Sequence, residues 1–532
     1  MKTPYFNDDH EAFRQSVRKF VEGELTPQAE EWEKERRIPK RIFARLGEMG
    51  YLGINYSEEL GGSGLDFFYS VVFFEELVRC QVSGLMAAVG VQSYMATPPI
   101  MHLGSQYIKD EFLLPAIQGK KIGALAITEP NAGSDVAAIR TSARLEGEYY
   151  IVNGSKTFIT NGCNADFVTM AVRTSQDGGF MGISLLVVDT TTSGFRVARK
   201  LDKLGWWSSD TAELAFEDMR VPRTNLLGQE GKGFYYIMNN FQLERLIAAI
   251  TSMAGIDLML SKTLEYMASR EAFGRPISKF QVLRHRLADL YSELEAVRAL
   301  TYQCSWGYDR GDYLVKEITM AKLLATELAV KTANECVQMH GGYGVMEEYP
   351  VARMYRDTRI GTIGGGTSEI MREILGKIVI DGMDFSTFSP ADDQPEEEAS
   401  FSKKQTMEAG GSQVSSENPA LEAASVCTCA QLVATYPARF LPDKAGGFNG
   451  TVHFKLTGTS GGQYTAVVKH SELTISEGLE GTTDCLVEAS DETFLGIEKG
   501  TLNPQMAFMM GKIKVSNVGI MLKFMAFFRP LR

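Results

Sequence analysis

The chain has 532 residues, too many for one hydrophobic core, so several domains are expected. Its 44% hydrophobic and 23% charged content is ordinary for a globular protein, and a net charge of −12 with a pI near 5.3 argues against a general nucleic-acid or anionic-membrane surface. Seven cysteines, mostly scattered, and six histidines provide neither a disulfide framework nor a ligand set with zinc spacing, which points to a reducing compartment and no metal.

The N-terminus is polar and acidic, unlike a secretory signal, and no apolar run is long enough to span a bilayer, so no transmembrane segment is expected. The expected location is cytoplasmic, or an organelle matrix in a eukaryote. Across residues 8–118 the apolar positions recur at helical spacing, as in Phe13, Val17, Phe20 and Val21, then Phe67, Val71, Phe74, Leu77 and Val78. The Gly-rich stretch 58–64 separates these runs as a loop. From 121 to 230 the period changes to two, with strands expected at 149–154, 167–172, 184–188 and 212–216 and a compact β-domain as the result. Helical segments at 234–270, 278–310 and 315–340 then predict an antiparallel bundle.

Near the end of that bundle Gly364-Gly365-Gly366 precedes Thr367-Ser368 and the periodic positions Ile370, Ile374 and Leu375. Bare backbone leading into a helix N-terminus suits a polar or anionic ligand close to the main chain, although taken alone the stretch reads first as a flexible turn with an N-cap. Past Phe385 the composition shifts to Ser, Glu, Asp, Gln and Pro, the signature of a flexible tether. A second small domain follows, with strands expected at 451–456, 464–468, 473–475, 482–489 and 512–515 and helices at 491–499 and 504–510. Its last apolar run, 518–528, reads either as a core helix or as the adaptable wall of a lipid tunnel. The division is therefore 1–120 helical, 121–230 β, 231–383 helical bundle, 384–420 linker and 421–532 small domain.

Five motifs in order carry a resemblance to the acyl-CoA dehydrogenases over roughly the first 380 residues. They are the stretch from Ala126-Ile127-Thr128-Glu129-Pro130 to Ser134-Asp135, then Phe158-Ile159-Thr160-Asn161-Gly162, Arg270-Glu271-Ala272-Phe273-Gly274, Gln338-Met339-His340-Gly341-Gly342, and the glycine loop. The resemblance implies that family's fold, an α-helical domain, a β-barrel-like middle domain and a four-helix bundle, with FAD as cofactor. The run from Asn503-Pro504 through Ala507-Phe508 to Gly511-Lys512-Ile513-Lys514 is similar to the end of a sterol-carrier-protein-2 domain, implying a C-terminal α+β lipid-binding fold.

Dehydrogenating an acyl thioester needs a carboxylate in a dry pocket to take the α-proton. Much of the family carries this glutamate in the glycine loop, where this chain has Gly365. The long-chain and isovaleryl members resemble this chain in pairing a loop glycine with a Glu-Arg on the preceding long helix, which implies Glu244 as the base and Arg245 beside the acyl-CoA. By spacing alone that pair reads rather as solvated helix surface. Gly365 would give its backbone N–H to the thioester oxygen. The resemblance further implies Leu125, Ile127, Thr128, Phe158 and Thr160 around the isoalloxazine. Arg270, Phe273, Gln281, Gln338 and Gly342 would hold the adenosine pyrophosphate, partly across a subunit boundary, Thr367 and Glu369 would border the cofactor, and Ser134 would face acyl-CoA. Glu369 departs from the glutamine of some relatives, and Gly361 and Gly364 replace bulkier residues.

The implied activity is FAD-dependent conversion of long-chain or branched acyl-CoA to trans-2-enoyl-CoA by a homotetramer or dimer, with electrons passed to an electron-transfer flavoprotein. The C-terminal domain would bind or deliver lipid. An oxygen-using acyl-CoA oxidase and a catalytically weak lipid-binding scaffold are the competing readings, the second opposed by Glu244.

Overall fold

The computed structural model describes residues 4–175, 179–383, 385, 428–446, 448–499, 502, 507, 512–525, 527–529 and 531. The expected tether lies outside the described residues apart from Phe385, as does the expected helix 504–510 apart from Ala507. The chain divides into two compact units, Met1–Ser402 and Lys403–Arg532.

The first unit opens with helices α1 (Asp8–Phe20), α2 (Ala29–Glu35), α3 (Lys40–Glu48), α4 (Phe67–Leu77), α5 (Ser83–Val91) and α6 (Pro98–Leu103), then the short α7 (Gln106–Ile108) and α8 (Leu114–Ile117). Asn7 starts α1 through a reciprocal cap with His10, whose second ring nitrogen lies 3.1 Å from Asp66. Asp66 in turn caps α4 by accepting from the Phe68 N–H at 2.9 Å, so one small polar group ties two helix starts together. α4 is apolar on nearly every side and lies buried in the middle of this layer.

Eight strands follow, β1 (Gly123–Ala126), β2 (Ser142–Glu146), β3 (Tyr149–Thr160), β4 (Phe167–Arg173), β5 (Ile183–Asp189), β6 (Phe195–Lys200), β7 (Thr211–Pro222) and β8 (Leu226–Leu227). They form one sheet in the order β6-β7-β3-β2-β4-β5-β8, with β1 pairing β4 in parallel. β4 and β5 are buried along nearly their whole length and so read as continuous apolar runs. β6 escapes a hydrophobicity pattern because it is an exposed edge strand carrying Arg196, Arg199 and Lys200.

The bundle comprises α9 (Gly233–Ser269), the hairpin β9 (Glu271–Ala272) and β10 (Arg275–Pro276), then α10 (Gln281–Asp309), α11 (Val315–His340), α12 (Pro350–Thr358) and α13 (Ser368–Val379). α10 begins at Gln281, not at residue 278 as expected, because Ile277–Lys279 form a 3₁₀ turn leaving the hairpin. Arg286 pairs with Glu335 and Glu293 with Lys331, which sets α10 antiparallel to α11. α9 runs parallel to α11: the Cys336 thiol reaches the Met259 carbonyl at 3.9 Å and, further along both helices, the Tyr266 hydroxyl donates to the His340 carbonyl at 3.2 Å.

The second unit contains α14 (Cys429–Ala434), α15 (Tyr436–Arg439), β11 (Gly450–Thr457), β12 (Gly462–Lys469), β13 (Glu472–Glu477), β14 (Cys485–Ser490), α16 (Asp491–Glu498), β15 (Ile513–Val515) and α17 (Val518–Met525). Its sheet runs β13-β12-β11-β14-β15, with β11 and β14 parallel, so the chain crosses over after β13. The strand expected at 482–489 begins at Cys485. Phe454, Phe494, Phe524 and Tyr436 meet in its core, and the Tyr436 hydroxyl donates to Glu498 at 2.9 Å. Of the two readings of the last apolar run, the structure places Phe524, Phe527 and Phe528 in this core.

Candidate active site

Glu244 and Arg245 sit on the first third of α9, beside the buried Leu246 and Ile247. Glu244 is recessed and keeps only part of its surface open. Desolvation pushes its carboxyl up to about 6, with Arg245 and Lys322 pulling the other way. The glycine loop faces it: a Cβ on Gly365 would lie 3.5 Å from Oε1 of Glu244. Arg245 is buried, its guanidinium 5.8 Å from the Phe241 ring centre, and its Nε is 3.5 Å from the Gly365 carbonyl, a long contact.

The loop's shape follows from its glycines. After α12, residues Arg359–Thr362 make a 3₁₀ turn and the Gly364 N–H donates to the Ile360 carbonyl at 2.9 Å. Gly365 and Gly366 then take φ of 65° and 94°, where a side chain is strained, and Thr367 caps α13 by accepting from the Ile370 N–H at 3.3 Å. Among the described residues the N–H groups of Gly365 and Gly366 have no protein acceptor. An added Cβ at Gly364 would meet only the Ile360 carbonyl at 3.7 Å, whereas at Gly361 it would press on Thr326 Cγ2 at 3.3 Å.

A second set lies on the sheet. Leu125 is half-buried on β1, with Ile127 buried and Thr128 half-buried just beyond it. The Thr128 carbonyl accepts from the Thr157 N–H at 2.9 Å, which draws this segment onto β3. Beneath it the fully buried Lys156 donates to the Ile127 carbonyl at 2.9 Å and to Glu129 at 2.8 Å. Burial drives Lys156 down to about 8 against the pull of Glu129. For Glu129, burial acts upward, but Lys156 and the bonds from Thr141 and Arg140 win and hold the carboxyl below the usual range. β3 slips register between Lys156 and Ile159, and there Phe158 adopts φ 60° and turns outward, 68% exposed. Thr160 follows, half-buried, and Ser134 is exposed in the loop between β1 and β2.

A third set is apart from these. Arg270, Gln338 and Gly342 line a pocket of about 650 Å³ together with Tyr266, His340 and Tyr343. From Lys322, level with the glycine loop, to Gln338 is about 24 Å along α11 at 1.5 Å per residue. Phe273 stands at the tip of the β9–β10 hairpin with φ 52° and 96% of its surface exposed. Gln281 is exposed at the start of α10, and Glu369 is exposed on the first turn of α13. One chain thus brings Glu244, Arg245 and Gly365 together, and separates them from Arg270, Gln338 and Gly342.

Two features went unread in the sequence. Lys322 is fully buried on α11 and donates to the Gly366 carbonyl at 2.6 Å. Its signal is a lone lysine at helical spacing with the apolar Ile318, Ala325 and Ala329. The Glu129–Lys156 pair is the other: Glu129 lies within a quoted motif, but nothing local names its partner. Gln242 Oε1, on α9 just before Glu244, and Ser368 Oγ, at the start of α13, are buried without a hydrogen-bond partner among the described residues.

Four family models match the chain: acyl-CoA dehydrogenase N-terminal domain over residues 7–120, middle domain over 124–219, C-terminal domain over 231–380, and the SCP-2 sterol transfer family over 434–529. The mitochondrial long-chain specific acyl-CoA dehydrogenase of Sus scrofa is 39% identical over 377 residues, covering 70% of this chain and 87% of its own length. The crystal structure of an acyl-CoA dehydrogenase from Geobacillus kaustophilus is similar with a TM-score of 0.69 at 43% identity, covering 71% of this chain and 99% of that one. The butyryl-CoA dehydrogenase of Megasphaera elsdenii gives a TM-score of 0.69 at 34% identity, covering 71% and 100%.

Proposed function

The chain belongs to the acyl-CoA dehydrogenase family and carries an SCP-2 sterol transfer domain, and from that membership we propose that Glu244 takes the α-proton of a long-chain or branched acyl-CoA. The observation that carries this reading is the desolvated Glu244 carboxyl, held at about 6 opposite a glycine in the loop.

As an acyl-CoA dehydrogenase the protein is FAD-dependent. The residues present fit that group: Phe158 offers an outward aromatic face, the Gly365 and Gly366 N–H groups are free of protein acceptors, and Arg270 opens onto the 650 Å³ pocket. When bound, FAD supplies the acceptor for the β-hydride. Leu125, Ile127, Thr128, Phe158 and Thr160 would hold the ring system, with Thr367 and Glu369 at its border. Arg270, Phe273, Gln281, Gln338 and Gly342 would hold the adenosine pyrophosphate of a neighbouring subunit's cofactor, which accounts for their separation from Glu244 and for the exposure of Phe273.

On this reading the α C–H proton passes to a carboxylate oxygen of Glu244. The electron pair left behind becomes the new double bond as the β C–H departs with its electrons, giving trans-2-enoyl-CoA. The Gly365 N–H stabilises the negative charge that develops on the thioester oxygen, a role worth about 2.7–4 kcal/mol for a single well-placed donor. Arg245 and Ser134 address the acyl-CoA. Electrons leave to an electron-transfer flavoprotein, and the SCP-2 unit binds lipid or acyl-CoA and keeps it near.

Anaerobic addition of a long-chain acyl-CoA should bleach the flavin of the wild-type protein and leave that of Glu244→Gln oxidised. Normal bleaching by the variant overturns Glu244 as the base. Stopped-flow reoxidation should be faster with the electron-transfer flavoprotein than with air, and the reverse result would identify an oxidase.

A further inference from the structure

The reaction as described leaves Lys322 unused, although it is a fully buried cation next to the loop. Burying an ammonium is expensive unless something holds it, and its partner here is a backbone carbonyl. That carbonyl belongs to Gly366, and the carbonyl before it, of Gly365, faces Arg245. Two cations, one from α11 and one from α9, thus meet consecutive carbonyls of a loop whose glycines have intrinsically wide conformational freedom.

We propose that Lys322 is a positioning residue for proton abstraction, gripping the Gly366 carbonyl while Arg245 steadies that of Gly365, so that the loop presents its N–H side to the Glu244 cleft. Each peptide is a planar trans unit, so fixing the Gly365 and Gly366 carbonyls fixes the opposed N–H groups of Gly366 and Thr367. The Gly365 N–H belongs to the preceding peptide, which these grips hold from its C-terminal side while the Gly364 N–H bond to the Ile360 carbonyl holds the other. The inference rests on Glu244 being the base.

Lys322 also adds positive charge beside that base. The charged groups facing it are Glu244 and Arg245 from α9, Glu369 from α13 and Glu327 on its own helix. Its charge lowers the proton affinity of Glu244, so removing it should raise the pH at which the base becomes available.

The test compares flavin-loaded Lys322→Met, which removes donor and charge, with Lys322→Gln, which keeps a donor without the charge. Lys322→Met should retain FAD and bind acyl-CoA, yet show faster hydrogen exchange of the loop amides at 361–367. Its flavin reduction should slow by up to about 100-fold, the scale on which a misplacement of about 1 Å slows a reaction. The midpoint of its pH–rate profile should move upward. Lys322→Gln should keep the loop protected and still shift the midpoint upward. A lysine that acted only through its charge would move that midpoint without exposing the loop amides, and one that only filled space would lower thermal stability and move neither. Unchanged exchange, rate and midpoint in Lys322→Met overturn the proposal, and if that variant does not fold, an unchanged midpoint in Lys322→Gln does so. Glu244→Gln measured alongside separates the two ideas: a normal rate there removes the base, and loop exchange alone then decides the grip.

Discussion

A Cβ on Gly365 would sit 3.5 Å from Oε1 of Glu244 and 3.8 Å from its Cγ. A carboxylate reaching in from the loop and one reaching in from α9 therefore compete for the same space. The loop glycine and the helix glutamate form one arrangement, and changing either alone leaves it without a base or with two.

The double variant Glu244→Gln, Gly365→Glu should regain part of the flavin reduction lost in Glu244→Gln. Recovery should be incomplete, because residue 365 has φ of 65°, a conformation that costs a non-glycine residue about 1–2 kcal/mol. Single-turnover reduction by acyl-CoA of several lengths measures it, and shorter chains should recover best because the added side chain occupies cleft space. Complete loss in the double variant would mean the two positions do not address one α-carbon.

The pH dependence has a definite sign. Glu244 titrates at about 6 in the fold against 4.5 for an ordinary glutamate, so its bound proton stabilises the folded state. That contribution is full below about 4.5 and is lost as the pH rises through about 6, to the extent of about 2 kcal/mol. Reduction requires the ionised form, so the rate should rise over the interval in which this stability falls. Glu244→Gln, which cannot ionise, should resist urea better than wild type at pH 8, with the gap narrowing at pH 5.

Lys156→Met should strand the Glu129 carboxylate in a dry site, since the pair is buried and Lys156 also holds the Ile127 carbonyl. Breaking one side of such a pair costs about 3–5 kcal/mol. The variant should unfold at lower temperature and purify with less FAD, read as flavin absorbance per chain.

Assembly and cofactor retention should be coupled. Flavin-loaded protein is expected to sediment as an oligomer, with Arg270→Ala releasing FAD on dilution sooner than wild type. A fully active monomer at assay concentration would contradict a cofactor site shared between subunits.

The helix and strand periods announced the long elements well, as the agreement at 315–340 with α11 shows, because a buried helix keeps its apolar spacing over many turns. The edge strand β6 and the short β1 were not legible: one faces solvent and the other is only four residues long. Glu244 could be singled out only through the family resemblance, because its spacing alone reads as helix surface. Lys322 could not be, because a lysine on a helix reads as surface until the packing shows that no solvent reaches it.

Removing everything after Met383 should leave flavin reduction intact at saturating acyl-CoA and lower turnover when a poorly soluble long acyl-CoA is scarce. The tether expected from composition, about 35 residues long, would reach roughly 30–35 Å, and tethering on that scale would raise the local ligand concentration into the mM range. Residues 421–532 produced alone should bind fatty acyl ligands. Failure of both results removes the delivery role.

The exposed Phe273 has a consequence for how the protein is made. Translation delivers the N-terminal part first, so the hairpin tip emerges while the SCP-2 unit is still unsynthesised. A phenylalanine at 96% exposure forgoes burial worth about 1.5–3 kcal/mol, which a covering subunit would recover, so each chain would carry that incentive to assemble from the moment the hairpin forms.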